Sequence, residues 1–494
     1  MGKLAIWLTP LWILAVGVAI GAGLLLLMWG VCWLINRRAA RAISAAVGEG
    51  ILRPISYVAA SLAALAILAA PSMPVEKMTA SLRRLPSVQP IVIDVEVPAR
   101  ETDFAVPASF LASELQRYTI KSDQDVAINT EKGKGFVEPL LIVEGSERDA
   151  LEWTPSTSQF ATSDRAFEGP VSTLFITNES DAATNVALRF YTDVEMPQVR
   201  AIPIAAAGTV GLYLLYLAIR FLAPRTSVIA AATAKETIAQ PLYTMLIAIG
   251  VVMLVAFVFI PYNTFGEDVK MLKTSGMTLI KVLAIIMALW TASTSVSDEI
   301  EGRTALTVLS KPVSRRQFIL GKFLGIIWPI VLMFVILGFV FLLTVSFKVV
   351  YDARESAKTT PEWTECYIEV VRIIPGLVLA FFESVIMAAI SVAVSTRLPM
   401  LPNLVICGSI YVLGHLAALI VKTSAADNIV FVRFVGKLLA MVLPVLDHFE
   451  IEGAIAGATS VPMAYLGWAL VYTAVYSAAA ILLALFFFED RDLA

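Results

Sequence analysis

Two ionisable side chains lie inside long apolar stretches of this 494-residue chain and are its first candidates for chemistry. Glu383 lies in the run LAFFESVIMAAI, and His415 lies in GHLAAL. An ionised carboxylate in the middle of a membrane span costs at least about 2.5 kcal/mol, so Glu383 should face a protein interior, a partner or a wet cavity. A functional role and a buried structural hydrogen bond are both consistent with it. His415 could titrate near neutral pH, but a lone histidine is more often a packing residue whose polar atoms are satisfied.

A second set of charged residues lies between two apolar stretches, in the polar segment DEIEGRTALTVLSKPVSRRQFILGK at residues 298–322. We call this segment the elbow. Its basic residues place it on the cytoplasmic side by the positive-inside rule. They are Arg303, Lys311, Arg315 and Arg316. Fixing the topology of an ordinary loop would be enough to explain the basic residues, but not the signals for helix ends that accompany them.

Those signals predict where helices begin and end around the elbow. Ser297 can cap a helix whose first residues are acidic, which suits the positive end of a helix dipole. Pro312 should end this helix. Ser314, followed at the third position by Gln317, predicts a capping box that starts the next helix and leads it into the bilayer. Two helices that meet at a stiff corner could act as a lever.

The run EIEGRTALTVLSKPVSRRQFILGKFLG resembles the loop after the second core span of type-2 ABC transporter permeases, which pair with a separate ATP-binding-cassette protein. Weaker similarities follow in LPVLDHFEI and in the closing FFFEDRDLA, so that the resemblance runs from residue 225 to the end. In that family the loop couples the permease to its ATPase. The resemblance therefore implies a coupling role for the matching residues. These are Glu299, Glu301, Arg303, Leu309, Ser310, Lys311, Pro312, Arg315 and Arg316.

The composition indicates the class of protein in which these residues are set. The chain is 58% hydrophobic and 16% charged, and its mean hydropathy is +0.79. Such values exceed those of ordinary globular proteins and predict a polytopic membrane protein. Applying the criterion of about 20 apolar residues per span gives nine candidate spans. They are residues 5–35, 54–73, 202–222, 241–260, 277–297, 318–346, 373–396, 402–421 and 462–487.

The distribution of basic residues predicts the orientation of these spans. The segment with Arg37 to Arg53, the segment at Arg225, the elbow and the turn at Arg397 are all basic and are placed in the cytoplasm. The C-terminus is then cytoplasmic and the N-terminus outside. We expect a multi-pass protein of the cell (plasma or inner) membrane, with residues 75–200 outside the cytoplasm.

Residues 75–200 form the one sizeable polar insert. Alternating apolar and polar residues in IVIDVEV and TLFITNESDAATNVALRFYTDVEMP predict strands. The segment ASFLASELQRYTI could supply an amphipathic helix with Phe110, Leu111, Leu115 and Tyr118 on one face. The fold class is therefore mainly α, a polytopic helical membrane protein of about nine spans with an inserted extracytoplasmic β-rich domain.

The sequence lacks the residues that several kinds of functional site require. No segment reads GxxxxGK followed by Ser or Thr, so we expect this chain to bind no cofactor, with ATP and magnesium held by a partner subunit. The three scattered cysteines indicate neither a disulfide framework nor a zinc site. No basic run with interleaved aromatic residues favours nucleic acid. We expect no metal site and no enzymatic activity, because Glu383 and His415 lack a nucleophile or metal-ligand companion at useful spacing.

The sequence thus predicts four parts: two spans in residues 1–74, the β-rich domain in 75–200, a third span in 201–224, and a six-span permease core in 225–494. The resemblance implies a subunit of an ABC exporter whose partners are a cassette ATPase, a second copy of itself or a related permease, and membrane lipid. The alternative is a non-transporting membrane sensor or assembly platform whose extracytoplasmic domain binds a ligand or a protein. A neighbouring gene for a cassette ATPase would favour the exporter.

Overall fold

The computed structural model describes residues 3–49, 51–145, 150–154, 167–260, 268–301, 313–356, 359–422, 442–451 and 461–489. The chain divides into two compact units. The first, the membrane unit, comprises Met1–Met73 and Ile204–Ala494, and the second, the β unit, comprises Pro74–Pro203.

Helices make up nearly all of the described membrane unit. In chain order, the helices of the described residues are α1 (Lys3–Ile35), α2 (Arg37–Glu49), α3 (Leu52–Ala69), α4 (Val75–Arg84, in the β unit), α5 (Ala201–Leu222), α6 (Pro224–Ala239), α7 (Pro241–Phe259), α8 (Asp268–Ala292, continued by a π turn at Ser293–Ser297 and an α turn at Asp298–Glu301), α9 (Arg315–Glu355), α10 (Trp363–Ser395), α11 (Met400–Lys422) and α12 (Met463–Glu489).

Eight helices of the described chain are long and apolar enough to cross a membrane, namely α1, α3, α5, α7, α8, α9, α10 and α12. The remaining predicted span, 402–421, corresponds to α11, which is a 23-residue helix. Its part with described side chains, Met400–Leu416, is apolar but shorter than the other eight. The predicted helical membrane protein with an inserted β-rich region is confirmed.

Three helices form the interior of the membrane unit. Buried residues make up 72% of the most apolar window of α8 and of α10 and 61% of that of α9, against 17 to 33% in the other five long spans. Lipid tails are as apolar as leucine, so hydrophobicity does not drive one span against another. The burial of α8, α9 and α10 therefore reflects close packing against other helices. The polar side chains that a membrane would penalise are therefore best tolerated on α8, α9 and α10.

Helix α6 lies against the first turns of α9 at a contact that only glycine permits. A Cβ atom on Gly321 would lie 2.7 Å from the Cβ of Ile229, and one on Gly325 would lie 2.7 Å from the Cβ of Thr233. The Gly325 position would also place a Cβ 2.8 Å from the carbonyl oxygen of Ala230. Glycines four residues apart form one smooth strip along a helix, so the two backbones can approach closely.

The β unit consists of two four-stranded antiparallel sheets. Its strands are β1 (Ile91–Val97), β2 (Phe104–Leu111), β3 (Leu115–Ser122), β4 (Val126–Asn129), β5 (Leu141–Val143), β6 (Leu151–Trp153), β7 (Pro170–Asn178) and β8 (Thr184–Thr192). The strand orders are β1-β8-β3-β6 and β2-β7-β4-β5. The sheets pack face to face, since Phe110 on β2 stacks on Phe190 of β8 with 4.8 Å between ring centroids.

The predicted amphipathic helix in ASFLASELQRYTI is wrong. Its residues form the end of β2, a single 3₁₀ turn at Ala112–Glu114, and most of β3. Phe110, Leu115 and Tyr118 are buried, as predicted, but Phe110 lies in one sheet and Leu115 and Tyr118 lie in the other. The four-residue spacing of Leu111 and Leu115 spans the 3₁₀ turn, and the three-residue spacing of Leu115 and Tyr118 spans a register shift, so together they imitate a helical face.

Candidate functional site

Four ionisable side chains meet within the membrane unit, and we call them the charge cluster. They are Lys281 on α8, Glu383 on α10, His415 on α11, and Glu450, which follows a 3₁₀ turn at Leu446–Phe449. The Lys281 ammonium lies 3.0 Å from Glu450 and 3.4 Å from Glu383. Nε2 of His415 lies 3.1 Å from Glu450 and 3.4 Å from Glu383.

The cluster is buried to different depths. The Glu383 side chain is 0% exposed and that of Lys281 is 7% exposed, whereas Glu450 is 39% exposed. Within the described residues, neither carboxylate oxygen of Glu383 makes a hydrogen bond of normal geometry, and ion-pair contacts balance its charge. A fully buried carboxylate in this position is stable only beside its counterions.

The sequence identified half of this cluster. Glu383 and His415 were candidates, and the structure brings them within ion-pair distance of each other. Lys281 and Glu450 were missed, although Lys281 is a cation inside the predicted span 277–297, and such a residue by itself indicates a buried acidic partner. Glu450 lay in a stretch noted only for family resemblance. The interpretation of His415 as an ordinary packing residue does not account for its two carboxylate neighbours.

Glu450 is carried by an irregular segment, residues 442–451, that packs against α10 and α11 and forms hydrogen bonds with α12. Its backbone groups are satisfied by tyrosines of α12. Tyr476 donates to the carbonyl of Val442 at 3.0 Å, and the Val445 N–H donates to the Tyr472 hydroxyl at 3.0 Å. Tyr465 donates to the carbonyl of His448 at 2.5 Å. Irregular backbone at membrane depth is tolerated only where protein or water satisfies it.

A glycine lets this segment approach α11. A Cβ atom on Gly414 would lie 2.8 Å from the carbonyl oxygen of Pro444 and 2.9 Å from the Leu446 side chain. His415 is the next residue, so the same close approach brings Glu450 to its ring. The sequence predicts a re-entrant or interfacial piece at residues 427–448, most of which, 427–441, lies outside the described residues.

The elbow is described only at its two ends. Arg303, Leu309, Ser310, Lys311 and Pro312 lie outside the described residues, as does the side chain of Glu301. The predicted coupling roles of these residues, and the predicted end of a helix at Pro312, stay predictions.

At the first end of the elbow, the predicted cap at Ser297 is wrong. α8 runs without a break through the π turn at Ser293–Ser297 to Glu301, so the backbone N–H groups after Ser297 are already bonded to the preceding turn. The Ser297 hydroxyl instead donates to the carbonyl of Leu398 at 3.1 Å, in the turn between α10 and α11. A π turn inside an α-helix often occurs at functional sites.

A buried amide joins this π turn to its neighbours. Nδ2 of Asn403, on α11, lies 2.8 Å from the hydroxyl oxygens of Ser293 and Ser391 and 3.0 Å from that of Ser395. The Cys407 thiol donates to Oδ1 of Asn403 at 3.2 Å. The end of α8 that leads into the elbow is thereby connected to α10 and α11.

At the second end of the elbow, the predicted capping box is confirmed. The Gln317 N–H donates to the Ser314 hydroxyl at 3.3 Å, and the Ser314 N–H donates to the Gln317 side chain at 3.1 Å. Two turns further, the Lys322 ammonium lies 2.5 Å from a carboxylate oxygen of Glu299. This ion pair links the start of α9 to the end of α8, so the two ends of the elbow are held together.

The two neighbouring arginines of the elbow differ in their surroundings. The Arg315 guanidinium donates to the carbonyls of Phe488 and Glu489, at 2.8 and 2.9 Å, and lies over the Phe488 ring. It therefore binds the carbonyl end of α12, where a cation also suits the helix dipole. Arg316 is exposed.

Loss of the Arg315 contacts should loosen the end of the last span. We expect Arg315→Met to cost about 1 kcal/mol, the typical worth of a cation at a helix C-terminus. Hydrogen exchange of the amides in the last turns of α12 should become faster. Arg316→Met is the matched control and should leave exchange at α12 unchanged. Equal exchange rates in both variants would contradict the capping role.

A groove of about 500 Å³ adjoins the base of the elbow. Its lining combines apolar side chains of α6 and α9 with charged residues. The charged residues are Arg225, Glu236, Glu299 and Lys322. An amphipathic groove of this kind suits a segment that is itself part apolar and part charged.

Residues 238–407 match the model of a family described as ABC-2 family transporter protein. The match includes α7 to α10 and the elbow, and it contains Lys281 and Glu383, but it ends before His415 and Glu450. It confirms the resemblance of this part of the chain to type-2 ABC transporter permeases, and the long apolar helices indicate a multi-pass membrane protein. No curated protein matches the chain significantly.

Proposed function

We propose that this chain is the membrane-spanning permease subunit of an ATP-binding-cassette exporter. A separate ATPase subunit would hydrolyse ATP with magnesium, and the elbow would transmit its motion to the spans. The family match over residues 238–407 supports the transporter class. The observation that carries the coupling role is the ion pair of Glu299 and Lys322, which links the two ends of the elbow.

The contacts around the elbow supply the physical means of coupling. A displacement of the elbow acts on α8 and α9 together, because Glu299 and Lys322 join them. Through Arg315 it also acts on the end of α12, and through the glycine contact it acts on α6. A joint with fewer connections would dissipate the motion locally. The shift between inward-open and outward-open states can be no larger than the difference in contact free energy between the two states.

The assembly and orientation follow from the same proposal. Two permease chains, identical or related, would pair with two ATPase subunits in the cell membrane. From the basic segments we infer that the elbow and the C-terminus are cytoplasmic, and that the N-terminus and residues 75–200 lie outside the cytoplasm.

The exposed arginine of the elbow provides a test. We expect Arg316→Glu to weaken association with the ATPase about tenfold, which corresponds to ~1.4 kcal/mol for one reversed charge at an interface. The measurement is quantitative recovery of a cassette ATPase with the affinity-tagged full-length protein from native membranes, together with ATP turnover of the complex. Arg41→Glu is the matched control, because Arg41 is also exposed and basic and lies on α2.

Three outcomes would count against the proposal. Unchanged association and ATP turnover in Arg316→Glu would remove the elbow from the interface. Recovery of the wild-type protein without any nucleotide-binding subunit would favour the sensor or assembly platform instead. Equal losses of ATPase association in Arg316→Glu and in Arg41→Glu would indicate a general effect of cytoplasmic charge.

A further inference from the structure

We propose that the charge cluster of Lys281, Glu383, His415 and Glu450 is a proton-binding site, with one proton held on Nε2 of His415 between the two carboxylates. The proposal rests on the geometry of the cluster and does not depend on the transport assignment. The family description covers no ligand at this position, and His415 and Glu450 lie outside the matched residues.

The tautomer of His415 is fixed by its own helix. Nδ1 lies 2.9 Å from the carbonyl oxygen of Tyr411, one turn earlier on α11. A carbonyl oxygen only accepts, so Nδ1 must carry a hydrogen. In a neutral ring with Nδ1 protonated, Nε2 carries a lone pair and no hydrogen.

That lone pair would lie close to two further acceptors. Nε2 lies 3.1 Å from Oε1 of Glu450 and 3.4 Å from Oε1 of Glu383. With both carboxylates ionised, Lys281 would donate to the acids, but Nε2 would face two acceptors with no hydrogen between them, which is costly away from water. A proton on Nε2 converts both contacts into attractive ones.

The sum of the charges in the cluster also indicates one bound proton. The charged groups of the described chain that face Glu383 are Lys281 from α8, His415 from α11 and Glu450 from the segment 442–451. Tyr411 also faces Lys281, with its ring centroid 6.0 Å from the ammonium, and is neutral as a phenol. Two carboxylates and one ammonium leave one negative charge, and one proton on His415 brings the sum to zero. A neutral total is strongly favoured where solvation is poor.

The site has an entry from one side. Glu383 is 0% exposed, whereas the Glu450 side chain is 39% exposed and contacts both His415 and Lys281. A proton from water can therefore reach Nε2 beside Glu450 without any opening of the helices. Once bound, the proton links Glu450 to His415 on α11, while Lys281 links Glu450 to α8. The bound proton therefore helps to hold the segment 442–451 against these helices.

The chain contains only two histidines, and this allows a direct test. The full-length protein would be labelled with ¹⁵N-histidine, placed in lipid nanodiscs and examined by solid-state NMR at neutral pH. Two ring signals are expected, from His415 and from the exposed His448. The His415→Gln variant assigns them by removing one. We expect the His415 ring to carry hydrogens on both nitrogens.

Removal of one carboxylate should release the proton. In Glu383→Gln and in Glu450→Gln, Lys281 alone balances the remaining acid, and the new amide can donate to Nε2. We expect loss of the Nε2 hydrogen in each variant. Glu369→Gln is the matched control, because Glu369 is also on α10 but pairs with Lys273 and Arg372. It should leave the His415 signal as in the wild type.

Two results would overturn the proposal. The first is a wild-type His415 ring with hydrogen on Nδ1 alone, an observation that needs no variant to fold. The second is retention of both ring hydrogens in Glu383→Gln and Glu450→Gln, because the proton would then not depend on the carboxylates. An unchanged His448 signal in each variant shows that the fold is intact.

Discussion

Replacing Lys281 with methionine is expected to lower the free energy of unfolding of the membrane unit by roughly 3–5 kcal/mol, the range for breaking a buried ion pair from one side. Methionine fills a similar volume, so the loss is mainly electrostatic. Lys281 contacts two acids, and the Glu383 side chain is 0% exposed. Without the ammonium, the cluster would keep two carboxylates and at most one imidazolium.

The contribution of the pair can be separated by a double-mutant cycle. Unfolding would be followed in mixed micelles by denaturant titration for Lys281→Met, Glu383→Gln and the double variant. We expect the second substitution to recover a large part of the loss, because a neutral amide no longer needs the ammonium. Lys235→Met is the control, since Lys235 is exposed on α6. Additive losses in the double variant would show that the two residues do not interact.

Replacing Gly325 with alanine should have the next largest effect, a loss of about 1–3 kcal/mol, the typical cost of overpacking. The new Cβ would lie 2.7 Å from the Cβ of Thr233 and 2.8 Å from the carbonyl oxygen of Ala230. The second contact is with backbone, so a change of rotamer cannot relieve it. Helix α6 must move away from α9 as a whole.

The displacement of α6 should be visible as well as the loss of stability. We expect faster hydrogen exchange along α6 in Gly325→Ala and a lower midpoint of thermal unfolding. Gly467→Ala is the control, because no atom lies within 4 Å of its added Cβ and alanine favours the helix. If both variants unfold at the wild-type temperature, the close contact of α6 and α9 is not required for stability.

The sequence was informative about elements whose signals are local. The length of an apolar run is enough to predict a membrane span, because a helix needs about 20 apolar residues to cross the hydrocarbon core. The capping box of Ser314 and Gln317 was predictable for the same reason, since both partners lie within one turn. The predicted cap at Ser297 failed, because a helix that continues through a π turn leaves no unbonded N–H groups to cap.

The charge cluster shows what sequence patterns cannot supply. Lys281 and Glu450 are 169 residues apart along the chain, yet their charged atoms lie 3.0 Å apart. No local signal specifies such a pair. The cost of burying Glu383 predicted that a partner must exist, but the identity of the partner depends on which faces of α8, α10 and α11 meet. In the β unit, likewise, the four- and three-residue spacings of Leu111, Leu115 and Tyr118 concealed a change of sheet.

The tyrosines of α12 also have a consequence for biogenesis. The backbone groups of Val442, Val445 and His448 are bonded to hydroxyls that occur 34, 27 and 17 residues later in the chain. During translation these hydroxyls are therefore synthesised after the backbone groups to which they bond. The peptide groups must stay hydrated, or be shielded by the insertion machinery, until α12 is in place. Helix α12 therefore completes backbone bonding that the helices before it leave unsatisfied.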